Sequence, residues 1–348
     1  MGLPGLDGIF IPGRVEYPGV IQMREWKQEL IQILAMGIGI PAILVSIVIV
    51  RGNRENTQVP SGSEPTTSQT TQPQLQKIQI PVLNGERYVE MDLEEYLLGV
   101  LLAEMPASFD AEALKAQAVA ARTFTLRCHV MGGNHALAAV CMEPTCCQGY
   151  LSPLRYIQQG GSVAQMERLR GILAETAGEV VCYEGEVILA SYFSCSGGST
   201  ESALAVWGQD YPYLQPVESP GEEDAAFFTD QKVFTISEFE EALNISLKGV
   251  PGSWFGVLTY TQGGGVKTAD ICGITYQGVE LRNKLGLRST VFTFSASEDT
   301  ITVYTRGYGH RVGLSQYGAE AMAVSGKDYR SILAHYYPGT VVQMYSGE

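Results

Sequence analysis

No cluster of lysine or arginine residues occurs in this sequence. Its 23 basic residues are outnumbered by 37 acidic residues, and the formal net charge is −14. Proteins that bind nucleic acid neutralise its phosphates with a basic surface, which this composition does not supply. The glycine pairs at 160–161 and 197–198 lack both the Walker lysine and a full dinucleotide fingerprint. We therefore expect no nucleic acid among the partners and no nucleotide site.

Two other patterns are missing. The chain has no H-E-x-x-H motif, which excludes the helical zinc site of many metallopeptidases. It shows no internal repeat, so a solenoid or propeller is not expected. Hydrophobic residues, by contrast, make up 45% of the 348 positions, which is ample for the core of one or two globular domains.

Charges are absent from residues 30–50, a run of 21 positions. About 20 apolar residues cross a bilayer as a helix, so this run predicts a single transmembrane helix. A cleaved signal peptide is the competing interpretation, but the run is too long, follows 29 other residues and precedes no A-x-A site. Basic residues flank both ends almost equally and leave the orientation open, with Arg24 and Lys27 before the run and Arg51 and Arg54 after it.

The next segment, 51–76, is rich in threonine, serine, glutamine and proline and has almost no large apolar side chains. Such a segment cannot bury enough surface to offset the entropy cost of ordering it. We predict a flexible linker there, followed by a folded domain at 77–348. The linker would let a membrane-anchored domain reach a polymer at some distance from the bilayer.

The folded domain is predicted to be α+β, with helices mixed among antiparallel strands rather than a regular β-α-β succession. Alternating residues and turn signals predict strands at 77–96, with a turn at Asn84-Gly85, and hairpins at 179–193, 255–276 and 290–304. Helical periodicity and helix-forming residues predict helices at 94–102, 111–127, 169–175, 236–243, 279–284 and 318–324.

One carboxylate, Glu104, stands in a mostly apolar stretch just before Met105 and Pro106. Apolar surroundings disfavour the charged form and raise a carboxyl pKa, as a general acid near neutral pH requires. Glu104 is therefore the candidate catalytic residue. The alternative is that Glu104 merely ends a helix, because Pro106 disfavours the α region at Met105 and Asp110 can cap the next helix.

Four metal-ligating side chains fall close together, namely His135, Cys141, Cys146 and Cys147. Thiolates and imidazole at this spacing suit a tetrahedral zinc ion, whereas in an oxidising compartment a disulfide among the three cysteines is the alternative. If three residues held zinc, water in the fourth position would give a hydrolytic site, with Glu143 as the only acidic residue inside the cluster. We favour a structural or site-ordering zinc. The remaining four cysteines are expected to be buried free thiols or to include one disulfide.

Three segments in order resemble the stage II sporulation protein D family, over roughly residues 80 to 345. They are Glu104–Phe109 with Glu112–Thr123, then Ser194–Thr200 with Trp207-Gly208, and finally Gly307–His310 with Gly313–Ala319 and His335–Pro338. Three ordered motifs are far more specific than any one alone. Arg311 stands where the family is expected to carry glycine, which puts the local backbone conformation in doubt.

The resemblance implies a peptidoglycan lytic transglycosylase. Glu104 would first protonate the oxygen of the β-1,4 bond between N-acetylmuramic acid and N-acetylglucosamine, then deprotonate the muramic C6 hydroxyl to give a 1,6-anhydro end. The alternatives are a peptidoglycan hydrolase, either a glycosidase or a zinc amidase, and a non-catalytic wall-binding amidase enhancer. The family further implies denuded glycan strands as substrate, an amidase and other engulfment proteins as partners, and a single-pass protein of the mother-cell or septal membrane. Residues 1–29 would then be cytoplasmic and the large domain extracytoplasmic.

Site residues are also carried over from the resemblance. The family pattern His-x5-Cys-x5-Cys selects His135, Cys141 and Cys147 as zinc ligands, and Cys146 is expected to point away because adjacent side chains generally do. Contacts to sugar hydroxyls, N-acetyl groups or the lactyl carboxylate are expected from Lys115, Arg122, Ser194, Ser196, Gly197, Gly198, His310, Gln316 and Tyr317. The competing interpretations are a solvated helix face for the two cations, a plain turn at 194–198 and a core role for the histidine.

Overall fold

The computed structural model describes residues 77–347. The predicted transmembrane helix at 30–50, the segment 1–29 before it and the linker 51–76 lie outside the described residues. Among the described residues, none of the helices has the length and apolarity that a bilayer span requires.

Strands and helices alternate irregularly along the described chain. The strands are β1 Gln79–Asn84, β2 Arg87–Asp92, β3 Val140–Cys141, β4 Glu179–Tyr183, β5 Glu186–Val187, β6 Tyr192–Phe193, β7 Thr229–Thr235, β8 Phe255–Tyr260, β9 Val266–Ile271, β10 Ile274–Gln277, β11 Val291–Ala296, β12 Thr300–Arg306, β13 Leu314–Ser315 and β14 Val341–Met344. The helices are α1 Leu93–Glu104, α2 Ala111–Met131, α3 Pro153–Gln158, α4 Val163–Glu175, α5 Ala203–Trp207, α6 Ile236–Leu243, α7 Gly278–Leu285, α8 Gln316–Val324 and α9 Tyr329–Tyr336, and one 3₁₀ turn lies at Pro251–Ser253.

The strands form small separate sheets instead of one large one. Their orders are β2-β1-β3, β14-β4-β5, β13-β6, β11-β12-β7 and β10-β9-β8. Pairing is antiparallel except for β1 with β3 and β6 with β13, which are parallel. The predicted mixture of helices and mainly antiparallel strands is confirmed. The parallel pair of β6 and β13 matters most, because it joins segments about 120 residues apart in the sequence.

Local signals explain where the two central helices begin and end. The Asp92 side chain accepts hydrogen bonds from the N–H groups of Glu94 and Glu95 and caps α1. The helix ends at Glu104, since Met105 is extended (φ −130°, ψ 141°) ahead of proline. Asp110 then caps α2. Glu104 does end a helix, as the alternative interpretation states, and this position leaves its carboxylate at the mouth of a cleft.

Two hydrophobic cores support the fold. The first surrounds α1 and α2, and its fully buried residues include Leu97, Leu98, Leu101, Leu114 and Val119. The second is built by β7 to β12 with α6 and α7, and its fully buried residues include Phe239, Ile271, Leu281 and Ile301. The first core carries α1 and therefore fixes the position of Glu104.

The hairpin predicted at 179–193 is only half right. β4 and β5 do pair through a turn at Glu184-Gly185, but β5 ends at Val187. Tyr192 and Phe193 leave this sheet and pair in parallel with β13. The hairpins at 255–276 and 290–304 are confirmed by the pairing of β8 with β9 and of β11 with β12. Helix α2 extends beyond the predicted end at 127 to Met131.

Candidate functional site

A cleft of about 520 Å³ opens beside the last turn of α1. Its walls come from α1, from the loop after β3 and from the region of α3. The lining residues are Leu102, Ala103, Glu104, Met142, Pro144, Gly149, Tyr150, Leu151, Tyr156, Gln159 and Gly161. Among these described lining residues, Glu104 is the only one with an acidic side chain. The sequence motifs pointed to Glu104 but to none of the tyrosine, glutamine and glycine residues opposite it.

The Glu104 carboxylate is held at both oxygens. The Gly149 N–H donates to Oε1 at 2.6 Å, and the Gln316 amide donates to Oε2 at 3.2 Å. Burial raises the pKa of Glu104 above its ordinary value, and these two hydrogen bonds act in the opposite direction by favouring the carboxylate. A side chain at position 149 would crowd this arrangement, since an added Cβ would lie 2.8 Å from Oε1. The site thus favours the acid form while it keeps two donors ready for the carboxylate.

Gln316 reaches Glu104 because β6 and β13 lie side by side. Gln316 is the first residue of α8 and directly follows β13. The next residue, Tyr317, donates its backbone N–H to the Ser194 carbonyl at 3.0 Å, and its ring packs edge-on against Phe109 at 5.2 Å. The structure therefore brings together residues from all three sequence motifs. Gln316 contacts Glu104, and the neighbouring Tyr317 contacts both Ser194 and Phe109.

A buried carboxylate that the sequence analysis missed organises this junction. Glu222 Oε2 accepts hydrogen bonds from the backbone N–H groups of Ser196 (2.7 Å) and Gly197 (3.1 Å) and from the Ser196 hydroxyl (2.8 Å). Its Oε1 accepts from the hydroxyls of Ser219 and Ser315, both at 2.6 Å. Ser315 also caps α8, the helix that carries Gln316. No local pattern distinguishes Glu222 from the acidic residues that follow it.

The hydrogen-bond donors at 196–198 point inward. The Ser196 side chain is fully buried, and the backbone donors of Ser196 and Gly197 both serve Glu222. The Gly198 N–H donates to the Ser196 hydroxyl at 3.0 Å. The predicted role of Ser196, Gly197 and Gly198 as donors to N-acetyl groups is therefore corrected. These residues form a turn that is held by hydrogen bonds to the buried Glu222, in agreement with the alternative interpretation of a plain turn.

Arg122 is also corrected, because its guanidinium is buried in the core. Its Nε and Nη2 donate to both carboxylate oxygens of Glu94, at 2.7 and 2.8 Å, and Nη1 donates to the Thr176 carbonyl at 2.8 Å. A bidentate pair of this kind joins α1 to α2. Lys115, predicted on the same face, pairs with Glu112 and Glu175 at 2.9 and 2.8 Å. Both cations are thus engaged within the fold, and neither lines the cleft.

His310 is a neutral ring between two aromatic residues. It lies 5.6 Å from the Phe193 ring and 5.2 Å from the Trp207 ring. Burial lowers the pKa of His310 to about 3, so the imidazole carries no charge at neutral pH. Its Nδ1 accepts the Val312 N–H at 3.1 Å, which assigns the ring proton to Nε2. The structure thus places His310 beside β6, in a supporting position for the strand that carries Phe193.

Arg311 keeps the backbone conformation that glycine favours. Its φ is +68°, in the left-handed region. The buried guanidinium offsets that strain with hydrogen bonds to three carbonyl groups. These are Ser196 at 2.8 Å, Ser199 at 2.7 Å and Gly263 at 2.6 Å. The departure from the family pattern therefore leaves the local backbone intact and adds a link to the β8–β9 turn.

The four metal-ligating side chains converge in the structure. One ligand atom from each of His135, Cys141, Cys146 and Cys147 lies within 4.8 Å of the other three. The expectation that Cys146 points away is wrong, because its Sγ lies 3.5 Å from His135 Nε2, as does that of Cys147. All seven cysteines lie in the described part of the chain and are free thiols. The disulfide alternatives are therefore not what the structure contains.

The cysteine cluster borders the cleft. Met142 and Pro144, which follow Cys141, form part of the cleft wall. Gly149, two residues after Cys147, donates the hydrogen bond to Glu104. Fixing the loop 140–149 at its cysteines would therefore fix both a wall of the cleft and the position of the candidate acid.

Gln316→Leu is expected to raise the pKa of Glu104 further. The hydrogen bond from Gln316 stabilises the carboxylate, and the variant removes it. If protonated Glu104 starts the reaction, activity is present below its pKa and lost as pH rises through it. The alkaline limb of kcat/KM against pH should therefore move to higher pH in the variant. Gln277→Leu, at an exposed position, is the matched control and should leave the limb in place. An unmoved limb in Gln316→Leu would separate Gln316 from the titration of Glu104.

Comparisons with known proteins agree with the three motifs. A family model described as "Stage II sporulation protein" matches residues 84–183. Stage II sporulation protein D of Bacillus subtilis (strain 168) is 40% identical over 274 residues, covering 76% of this chain and 79% of that protein. The protein of the same name from Bacillus amyloliquefaciens is 38% identical over 287 residues, covering 80% of each. An "Amidase enhancer" of Bacillus subtilis (strain 168) is 29% identical over 303 residues, covering 72% of this chain but 40% of that protein.

Proposed function

The chain belongs to the stage II sporulation protein D family, a family of sporulation proteins, and on this premise we propose that it is a peptidoglycan lytic transglycosylase. The observation that carries the proposal is the cleft with a single carboxylate. Glu104 lies there with a raised pKa and with donors at both oxygens. One group that is both acid and base needs this combination.

The proposed reaction uses Glu104 twice. The protonated acid gives its proton to the glycosidic oxygen, and the bond between C1 of the muramic residue and that oxygen breaks. The resulting carboxylate, stabilised by the Gly149 N–H and the Gln316 amide, takes the proton of the muramic C6 hydroxyl. The C6 oxygen closes on C1 and yields the 1,6-anhydro end. Glu104 is returned to its acid form.

The single carboxylate argues against a two-carboxylate glycosidase. Such enzymes place a second Asp or Glu about 5–5.5 Å away as nucleophile, or about 6.5–9.5 Å away as base for water. The described lining of the cleft contains no second acidic side chain. Closure by the C6 hydroxyl needs no such partner, so the single carboxylate favours the transglycosylase over the hydrolase.

A non-catalytic role is the second candidate, because a relative named "Amidase enhancer" is 29% identical to this chain. Mass spectrometry of products separates the possibilities when the full chain, in detergent, is incubated with denuded glycan strands. The proposal predicts products lighter by one water than the hydrolytic ones. Reducing ends instead would identify a hydrolase, and intact strands would support the non-catalytic role. Peptide-bearing strands in a parallel reaction test whether stem peptides must first be removed.

Zinc is proposed as the resident ion of the cysteine cluster. The donor set fits it, since thiolates and imidazole are the ligands of structural zinc sites. The ion would cross-link His135 to the loop 140–149. His135, Cys141 and Cys147 would hold it, as the family pattern implies, and the loop in turn carries Gly149 to Glu104.

Membrane anchoring through residues 30–50 is proposed from the sequence, with the domain at 77–348 outside the membrane. Protease added to intact protoplasts that express the chain should then remove the large domain and leave a short N-terminal fragment. A cytoplasmic protein monitored in the same samples is the control for intact protoplasts. Full protection of the large domain would place it in the cytoplasm, where it cannot reach the wall. Glycan strands, an amidase and other engulfment proteins are the partners proposed for this location.

A further inference from the structure

We infer that Cys146 is a fourth metal ligand and closes the coordination shell of the cysteine cluster. The inference rests on the zinc of the proposed function but goes beyond the three-residue family pattern. In a closed shell no position remains for water or substrate, so the ion holds the loop 140–149 and takes no part in bond cleavage.

The distances among His135, Cys146 and Cys147 match the edges of a tetrahedron around zinc, and the ligand atom of Cys141 lies within 4.8 Å of each of these three. Zinc–sulfur and zinc–nitrogen bonds of about 2.3 and 2.05 Å predict edges of about 3.5 Å from sulfur to nitrogen and about 3.8 Å between sulfurs. The Sγ atoms of Cys146 and Cys147 each lie 3.5 Å from His135 Nε2. They lie 3.9 Å from each other. Cys146 therefore occupies a corner of the tetrahedron as closely as Cys147 does.

A tight turn explains how two adjacent cysteines reach the same point. The backbone N–H groups of Cys146 and Cys147 both donate to the Glu143 carbonyl, at 3.0 and 2.9 Å. In such a turn neighbouring side chains are not opposed, as they are in an extended strand. The Asn134 amide supports the arrangement by donating to the Cys146 carbonyl at 2.9 Å and lying 3.8 Å from the Cys146 sulfur. The geometry of Cys146 is thus supported from outside the cluster.

The closed shell bears on the choice between enzymes. A catalytic zinc site keeps a position open for water, usually with three protein ligands. Four protein ligands leave none. Glu143 is the acidic residue that was considered as a base for such a water. It is exposed, and its backbone carbonyl, not its carboxylate, accepts the hydrogen bonds of the cysteine turn. The cluster is therefore suited to shaping the cleft around Glu104 and unsuited to a zinc amidase.

Cobalt substitution tests the ligand count without any assay of glycan cleavage. The full chain in detergent, stripped of metal and loaded with Co²⁺, should show thiolate-to-cobalt charge transfer of three thiolates and the visible bands of a tetrahedral ion. Cys146→Ser should lower the charge-transfer intensity by about one third, because one thiolate of three is lost. Cys128→Ser, which removes a cysteine outside the cluster, should leave the spectrum unchanged.

Added azide gives a second measurement, which tests directly whether the metal has an open coordination position. A closed shell predicts that azide leaves the wild-type cobalt spectrum unchanged and alters that of Cys146→Ser, where a position has opened. A wild-type spectrum that responds to azide, a Cys146→Ser spectrum equal to wild type, or failure to bind cobalt would each overturn the inference. Product analysis tests the proposed function separately. A four-ligand spectrum without anhydro products would contradict the proposed function but not this inference. Anhydro products together with an open metal site would contradict this inference but not the proposed function.

Discussion

Glu104→Gln should lower the rate of anhydro-end release by at least about 10²-fold, the scale of general acid–base catalysis. The amide keeps the shape of the side chain and can still accept the Gly149 N–H, but it neither donates nor takes up the reacting proton. Folding should change little, because only the Gln316 amide loses its acceptor and a single hydrogen bond contributes about 1 kcal/mol. The measurement is release of anhydro-muropeptides from denuded strands by the wild-type and variant chains at equal concentration.

Glu95→Gln is the matched control for this experiment. Glu95 lies on the same helix, but its side chain is 54% exposed and pairs with Arg170 on the surface. Its loss should leave the rate within about twofold, since exposed ion pairs contribute little. Near-normal release by Glu104→Gln, or an equal loss in Glu95→Gln, would end the assignment of Glu104 as the acid and base.

Glu222→Leu should lower the free energy of unfolding by roughly 3–5 kcal/mol, because several buried donors lose their acceptor together. The donors concerned include the backbone N–H groups of Ser196 and Gly197 and the hydroxyls of Ser196, Ser219 and Ser315. Movement of Ser315 would also displace the start of α8 and with it Gln316. Urea unfolding measures the loss of stability, and glycan cleavage below the transition measures the displacement.

Two control variants separate the hydrogen bonds of Glu222 from its charge and position. Glu222→Gln keeps an oxygen for the backbone N–H groups and offers an amide to the serine hydroxyls, so its loss of stability should be near 1 kcal/mol, about one hydrogen bond. The exposed neighbour Glu223→Leu should change stability by no more than about 0.5 kcal/mol. Equal unfolding midpoints for Glu222→Leu and Glu223→Leu would show that Glu222 does not anchor the junction.

Local sequence signals were sufficient for most of the two helices that position Glu104. Asp110 caps α2 and Pro106 follows the end of α1, as capping and proline rules predict, but the strand predicted at 77–96 extends too far, because α1 already begins at Leu93. The same rules could not place Tyr192. Its strand is two residues long and is defined by a partner near Leu314. Pairing across such a separation depends on the tertiary fold and leaves no periodic signal in a short segment.

The misplaced site residues share a cause. Lys115 and Arg122 do return to one face of α2, but Arg122 is buried because Glu94 on another helix meets it there. Cys146 was excluded by a rule for adjacent side chains that holds in strands and fails in the turn after Glu143. In each case the residue type was read correctly, and a partner or a backbone conformation outside the motif decided what the side chain contacts.

Digestion of denuded glycan strands in oxygen-18-labelled water follows the atom that distinguishes the two enzyme reactions. Closure by the muramic C6 hydroxyl takes no oxygen from the solvent, so the new ends made by the wild-type chain should be anhydro sugars without label. Glu104→Gln should make neither product. New ends that carry one labelled oxygen at C1 would show that water attacks the sugar, and would contradict a transglycosylase centred on Glu104.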